Sequence, residues 1–233
     1  MNAAAPRIAL IGLGRMGRSV LLLAEERGWP VVAALNAAAG GPTRERLGEA
    51  DVAIEFTTPT AAPGNIIACA RAGVPVVCGT TGWDAERAHV DREVVTAGGA
   101  LIASPNFSLG VAIFMLAAER LARLAGNARE FAPHITETHH AHKLDAPSGT
   151  ARELAHRAGE AFGRPVPITS IRVGAVPGTH ELLFDGAFEQ IRLTHETRDR
   201  RVFAEGALAA AQWIVGRKGI FTMRDLIAGE LGT

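Results

Sequence analysis

Glu137-Thr138-His139-His140-Ala141-His142-Lys143 places three histidines and a lysine within five positions. Asp145-Ala146-Pro147-Ser148-Gly149-Thr150-Ala151 follows almost at once. Imidazoles and ammonium groups hold anions and move protons near neutral pH. An ordinary lysine has a pKa of about 10.4, so it is an available acid at neutral pH. The Asp-Ala-Pro-Ser-Gly run reads as a turn, and the residues from about Gly149 to Ala161 read as a helix. The free backbone N–H groups at a helix start make a ready carboxylate site. Such a cluster could bind a metal, form a solvated basic turn, or bind and protonate an anion. An ammonium repels a metal ion, and only Glu137 and Asp145 offer nearby carboxylates, so no metal is expected. Pro147-Ser148-Gly149-Thr150 favours the third use.

A second chemical motif lies at the N-terminal end. Arg7-Ile8-Ala9-Leu10-Ile11 reads as a buried strand, and Arg18 to Arg27 reads as a helix closed by Gly28. Between them stands Gly12-Leu13-Gly14-Arg15-Met16-Gly17. This is a G-x-G-x-x-G with a strand before it and a helix after it, the setting of a dinucleotide site. The first glycine permits the tight turn, the second lets the backbone approach a pyrophosphate, and the third lets helix pack on strand. The bland alternative is a tight structural turn. An acidic residue about 20 residues further on usually holds the ribose hydroxyls. Here the second strand, Val31–Leu35, ends in Asn36. Asn can bond a hydroxyl without repelling a 2′-phosphate, and Arg44 and Arg46 are near in sequence. The expected cofactor is therefore NADH or NADPH, with the preference open.

The elements that must position these motifs alternate at first. Strands are expected at Asp51–Phe56, Val74–Cys78 and Ala100–Ala103, with helices through Asn65–Ala70 and Asp84–Thr96. Short links join them, which argues for a doubly wound parallel sheet. Ligands bind such sheets beyond the carboxyl ends of the strands. Thr57, Gly79-Thr80-Thr81 and Asn106 gather at those ends. Turn chemistry and helix capping are the plainer account of such residues, but the Gly79–Thr81 turn lies on the edge a cofactor would use. A core-facing helix is expected over Val111–Leu124, with Val111, Phe114, Met115, Ala118, Leu121 and Leu124 on one face and Gly126-Asn127 at its end. Amphipathic strands then follow at Phe131–His139, Ile168–Val173, Glu181–Phe184 and Phe188–His195. Asp185-Gly186 reads as a hairpin turn between the last two. Helices are expected at Ala207–Val215 and Met223–Ala228. The fold class is thus α/β: an N-terminal Rossmann-like doubly wound sheet and a smaller α+β domain with a mixed sheet. The expected boundaries are 1–107 with 206–233 for dinucleotide binding, and 108–205 for substrate binding and oligomerisation.

Bulk properties exclude several function classes. Lys+Arg and Asp+Glu stand at 24 each, so no global field draws nucleic acid or an acidic membrane surface. No apolar run reaches the length of about 18 residues that a bilayer requires. No secretory leader is read in the first residues. Cys69 and Cys78 are too few for a disulfide framework and read as small buried hydrophobes. A cytoplasmic protein is expected, with no nucleic-acid or membrane partner.

Glu137–Ala151 resembles the signature E-x-H-H-x-x-K-x-D-A-P-S-G-T-A of the 4-hydroxy-tetrahydrodipicolinate (dihydrodipicolinate) reductase family, and matches it at every fixed position. The resemblance extends over nearly the whole chain. It includes Gly14–Gly17, Phe56-Thr57, Gly79-Thr80-Thr81-Gly82 and Asn106-Phe107-Ser108-Leu109-Gly110-Val111. Arg172, Gly174, Gly178, His180 and Glu181 match as well, as does Phe221-Thr222-Met223-Arg224-Asp225. It implies NAD(P)H-dependent reduction of hydroxy-tetrahydrodipicolinate to tetrahydrodipicolinate with loss of water, in the diaminopimelate route to lysine. The family's acid-base histidine falls on His139 and its proton-donating lysine on Lys143. Substrate contacts fall on His140, Gly149 and Thr150. Cofactor contacts fall on Gly12, Leu13, Gly14, Arg15, Met16 and Gly17, on Gly79, Thr80 and Thr81, and on Ser104, Pro105, Asn106 and Phe107. The family is usually a homotetramer joined through second-domain sheets. Two departures stand out. Asn36 replaces the frequent acidic residue, and the loop after it is shorter than usual. Other classes predict different behaviour: a reductase of another imine or semialdehyde, a cofactor-binding regulator without turnover, or a zinc-dependent hydrolase.

Overall fold

The structure is a computed structural model, and it describes residues 4–36, 41–128 and 130–230. The shortened loop after Asn36 falls at 37–40, outside the described residues. The chain divides into two compact units. One runs to Leu109 and resumes at Arg201; the other is Gly110–Arg200.

The first unit is built on a six-stranded sheet, and every pairing in it is parallel. In chain order its strands are β1 (Ile8–Ile11), β2 (Val31–Leu35), β3 (Val52–Glu55), β4 (Val76–Cys78) and β5 (Ala100–Ala103). The sixth strand of this sheet comes from near the end of the chain. The helices are α1 (Arg15–Glu26), α2 (Arg44–Leu47), α3 (Ala62–Arg71) and α4 (Arg87–Thr96), the last preceded by a single 3-10 turn at Asp84–Glu86. All residues of β1, β3 and β4 are buried, as expected for strands covered on both faces.

The second unit contains α5 (Leu109–Ala128, from one residue before it), β6 (Ala132–His139), α6 (Gly149–Phe162), β7 (Ile168–Arg172), β8 (Thr179–Asp185) and β9 (Gln190–Glu196). Its sheet has the order β7-β6-β8-β9, with β6 and β7 parallel and the other pairs antiparallel. One face is buried. Ile135, Leu182 and Phe184 pack there with Phe114, Met115, Ala118 and Ala122 of α5 and Leu154 and Ala158 of α6. The hairpin between β8 and β9 is longer than Asp185-Gly186 alone suggests: Gly186 N donates to Glu189 O across it at 2.9 Å.

The chain then returns to the first unit through α7 (Arg201–Ile214), β10 (Gly219–Phe221) and α8 (Met223–Glu230). The first sheet reads β10-β5-β4-β3-β1-β2. Helices α1 and α7 cover one of its faces, and α3 and α4 the other. Helix α7 is lined with Ala204, Gly206, Ala207, Ala210 and Ala211, all buried, which lets it lie close to the sheet. A Cβ on Gly206 would stand 1.6 Å from Phe107 O.

Three sequence expectations are corrected here. Helix α5 runs past Gly126-Asn127 to Ala128. Its buried face follows Val111, Phe114, Met115, Ala118, Ala122 and Ala125, so Leu124 is exposed. Steps of three and four residues from Ala118 reach Ala122 and Ala125, and Leu124 falls off that stripe. Helix α7 starts at Arg201, six residues before Ala207, and within that added stretch Ala204 and Gly206 are buried like the small residues that follow. No helix of the described residues is long and apolar enough to cross a membrane.

Candidate active site

The residues expected from the sequence to contact a cofactor all lie beyond carboxyl ends of parallel strands. Gly12–Gly17 follows β1, Asn36 follows β2, Gly79–Thr81 follows β4 and Ser104–Phe107 follows β5. The strand order reverses between β1 and β3, the point at which sheets of this kind hold their ligands. Each glycine of the first turn has a separate geometric reason. Gly12 has φ +94°, and a Cβ there would meet Phe56 O at 2.1 Å. A Cβ on Gly17 would stand 1.9 Å from Gly12 O. Gly14 has nothing within 4 Å of such an atom, so its face is open. Gly14 is also the N-cap of α1, no side chain caps the helix, and its first turn holds no acidic residue. Arg15 is exposed beside it. An uncapped helix start with an open glycine and a nearby cation fits the pyrophosphate of a dinucleotide.

The remaining turns differ in what they offer. Thr81 and Asn36 are exposed, and Gly79 and Thr80 are half-buried. Gly79 must be glycine, since a Cβ would lie 1.9 Å from the Phe56 ring. Ser104 Oγ donates to Asn106 O at 2.7 Å, and Ser108 N donates to Asn106 Oδ1 at 2.9 Å, which shapes the Ser104–Phe107 turn. Pro105 is exposed. Phe107 is buried and packs edge-on against Phe56 with ring centroids 6.3 Å apart. Neither cysteine is disulfide-bonded. Burial pushes the Cys69 thiol up to about 12, and burial beside Glu55 pushes Cys78 higher still, so neither is a nucleophile.

The cluster around His139 is built by strand register. Glu137 and His139 are two apart on β6 and share its buried face. Glu137 pairs with His180 on β8, and His139 pairs with Arg172 on β7. Glu137 is fully buried and hydrogen-bonds His139 Nδ1. Its other oxygen accepts from Arg172 Nη2 at 2.7 Å and from Ser148 N at 3.3 Å. Burial works to raise the Glu137 pKa, but Arg172, Ser170 and His139 together bring it down to about 2. The carboxylate is therefore ionised and accepts only, so the His139 proton sits on Nδ1 and Nε2 is left as an acceptor. Burial holds His139 below its usual value, with Lys143 and Arg172 adding to that effect against Glu137. The ring is neutral at pH 7. A Cβ on Gly178 would be 3.0 Å from His139 Nε2, so a glycine there gives the ring its room. His180 is held at about 4, chiefly by burial, and its ring meets that of His139 edge-on at 5.2 Å.

Lys143 is nearer the surface, with 23% of its side chain exposed, and its Nζ donates to Asp145 Oδ1 at 2.7 Å. That bond holds the Asp145 pKa below the ordinary value. Arg172 Nη2 also donates to Asp145 O at 2.6 Å, pinning the loop that carries Lys143. Ser148 caps α6, its Oγ accepting from Ala151 N at 3.2 Å. Helix geometry then leaves the Gly149 and Thr150 amides without an intrahelical acceptor. His140 lies apart from His139, its Nε2 2.9 Å from Arg200 Nη2. Adjacent residues on a strand end point to opposite faces, and this separates the two rings. Glu137, His139 and His180 bring ligand atoms within 4.8 Å of one another. The Arg172 guanidinium on Glu137 stands against a cation there.

Glu137, Arg172, Ser148, Gly178 and His180 had no role assigned from sequence. The i, i+2 spacing of Glu137 and His139 was a readable signal; the others needed the register of β7 and β8.

A family model described as dihydrodipicolinate reductase, N-terminus, matches residues 6–107, and one described as dihydrodipicolinate reductase, C-terminus, matches 110–227. The chain belongs to the dihydrodipicolinate reductase family. A 4-hydroxy-tetrahydrodipicolinate reductase of Christiangramia forsetii is 36% identical over 233 residues, covering 95% of this chain and 97% of that one. Another from Thiobacillus denitrificans is 36% identical over 265 residues, covering 95% and 98%. The fold matches that of a dipicolinate-bound dihydrodipicolinate reductase from Paenisporosarcina sp. TG-14, with a TM-score of 0.77, 24% identity, and coverage of 94% of this chain and 98% of that one. Membership of this reductase family implies a nicotinamide cofactor.

Proposed function

We propose that the protein is a 4-hydroxy-tetrahydrodipicolinate reductase of the diaminopimelate route to lysine. The observation that carries this reading is the unbroken Glu137–Ala151 run in a chain of this family, with its buried Glu137 tied to His139, Arg172 and the start of α6. The first domain binds the cofactor and the second binds the substrate. When bound, the reduced nicotinamide supplies a hydride to the substrate ring; a proton is also taken up and water is lost.

The Gly12–Gly17 turn and the start of α1 hold the pyrophosphate, and Gly79–Thr81 and Ser104–Phe107 line the rest of the cofactor site. The Gly149 and Thr150 amides and His140 hold a substrate carboxylate. Lys143 donates the proton as an ammonium. His139, neutral and fixed in one tautomer, assists by accepting at Nε2. Asn36 permits both NADH and NADPH, since it carries no charge to repel a 2′-phosphate. The assembly is a homotetramer formed through the second sheet. Support for this is that the face of that sheet opposite α5 and α6 carries the exposed Ile171, and exposed Val173 and Phe188 lie in its adjoining loops. Light scattering checks the mass. Two free thiols suit a reducing compartment, and the expected location is the cytoplasm.

A coupled assay tests the activity. A synthase generates the unstable substrate in place, and nicotinamide absorbance is followed separately with NADH and NADPH. Substrate-dependent oxidation supports the reading. Saturable cofactor binding without turnover overturns it.

A further inference from the structure

Glu55 ends β3 with its side chain fully buried, and nothing in the proposed chemistry uses a carboxylate there. Four neutral groups donate to it. Thr57 Oγ1 donates to Oε1, and Asn65 Nδ2 approaches the same oxygen at 3.4 Å. Thr80 Oγ1 donates to Oε2 at 2.6 Å, and Cys78 Sγ donates to it at 3.2 Å. Thr57 follows β3, Asn65 lies on α3, Cys78 ends β4 and Thr80 stands in the turn beyond. Thr80 Oγ1 also accepts from Thr57 N at 2.8 Å, which leaves its single hydrogen for Glu55. Backbone bonds lie alongside this tie: Gly79 N donates to Glu55 O at 2.9 Å, and Phe56 N donates to Ile11 O at 2.8 Å. The Phe56 carbonyl closes on Gly12 and the Phe56 ring closes on Gly79. Three turns at one sheet edge are thus interlocked, and the carboxylate joins two of them through side chains.

We propose that Glu55 is a positioning residue for the nicotinamide cofactor, holding the Phe56–Thr57 and Gly79–Thr81 turns at the spacing that binding requires. This goes beyond the proposed function, and rests on it only for the presence of such a cofactor. A carboxylate suits the task because both oxygens accept. A glutamine would offer one oxygen and one NH2 group, and in either orientation it would turn a donor toward donors. Buried donors without acceptors are costly, and the strands cannot yield, so the turns must move. The cost should therefore appear in cofactor affinity.

The test is fluorescence titration of the full chain with NADH and with NADPH, for the wild type, Glu55→Gln and Glu55→Asp, alongside steady-state kinetics. Glu55→Gln is expected to raise the Kd of the preferred cofactor by about tenfold or more. The KM for the dicarboxylate should stay within about twofold, and kcat at saturating cofactor within about threefold, a split that general loss of structure does not produce. Glu55→Asp keeps both acceptors on a shorter stem, and its Kd should rise less, by about threefold. Should Glu55→Gln fail to fold, Glu55→Asp decides the matter, and an unchanged Kd in it overturns the inference. A folded Glu55→Gln that binds cofactor like the wild type overturns it as well, as does a uniform loss in kcat and both KM values. Wild-type protein that binds neither cofactor overturns the proposed function and this inference together; wild-type binding with unchanged variants overturns this inference alone.

Discussion

Glu137 and His139 stand two residues apart on β6, and the buried carboxylate of the first accepts a hydrogen bond from Nδ1 of the second. The pairing fixes one imidazole tautomer and points Nε2 away from the carboxylate. Glu137→Gln keeps the shape but can offer its NH2 group to His139, which favours the wrong tautomer. Turnover should fall on the order of 10²-fold, with a smaller change in substrate KM. A Glu137→Gln variant with wild-type kcat would show that the tautomer does not matter to the reaction.

Lys143 and His139 are separable by charge. Burial leaves His139 neutral at pH 7, so it is not the positive group of the pair. Lys143→Ala should lower kcat by roughly 10²-fold or more. His139→Gln should also lower kcat, and a loss confined to substrate KM would assign it to binding alone. Near-normal turnover in Lys143→Ala would remove the lysine from proton donation.

Part of this geometry is legible in the sequence, and the reason is local. The glycine turn declares itself because strand, turn and helix are contiguous. Glu137 and His139 share a face because strand alternation demands it. Arg172 and His180 reach the same cluster only through the register of β7 and β8 with β6, which no spacing along the chain encodes. Glu55 was hidden for the same reason, since its donors come from β4, α3 and two turns. Leu124 misled because it is apolar yet lies off the stripe that Ala122 and Ala125 continue. Strand β10 is three residues long, too short to show any periodicity.

Acid should weaken the fold in two adjoining windows. His180 is held at about 4 in the folded chain, below the ordinary histidine value of about 6.5, because it is buried near His139, His195 and Lys143, with Glu137 opposing. Between those two values the unfolded chain binds more protons, so stability rises with pH and is lost as pH falls from about 6.5 to about 4. Glu137 then adds a loss as pH falls from 4.5 toward 2. Urea midpoints measured across this range should show both slopes. His180→Gln should make the upper slope shallower, with His139 and His195, also held below their usual value by burial, keeping part of it, and should leave the lower one. An unchanged upper slope would mean that His180 is not buried as a neutral ring.

The glycines of the first turn should separate folding from binding. Gly17→Ala forces a methyl to within 1.9 Å of Gly12 O, so the helix must shift and stability should fall by about 2 kcal/mol or more. Gly14→Ala meets nothing within 4 Å and has an ordinary φ of −70°, so its Tm should stay near the wild type. Its methyl would stand on the open face before α1, and the Kd for the dinucleotide should rise about tenfold or more. Calorimetry and cofactor titration on the two variants decide the matter. Equal Kd values for Gly14→Ala and wild type would place the pyrophosphate elsewhere.

Asn36 is exposed just beyond β2, where a ribose-binding residue belongs in this topology. An uncharged amide tolerates a 2′-phosphate, whereas a carboxylate repels it and binds free ribose hydroxyls. Asn36→Asp should therefore lower kcat/KM with NADPH and maintain or raise it with NADH. The ratio of the two should move by about tenfold or more toward NADH. Parallel assays with both cofactors measure that ratio directly. A ratio unmoved by the added charge would mean that the adenosine ribose does not reach Asn36, and would shift attention to Arg44 and Arg46.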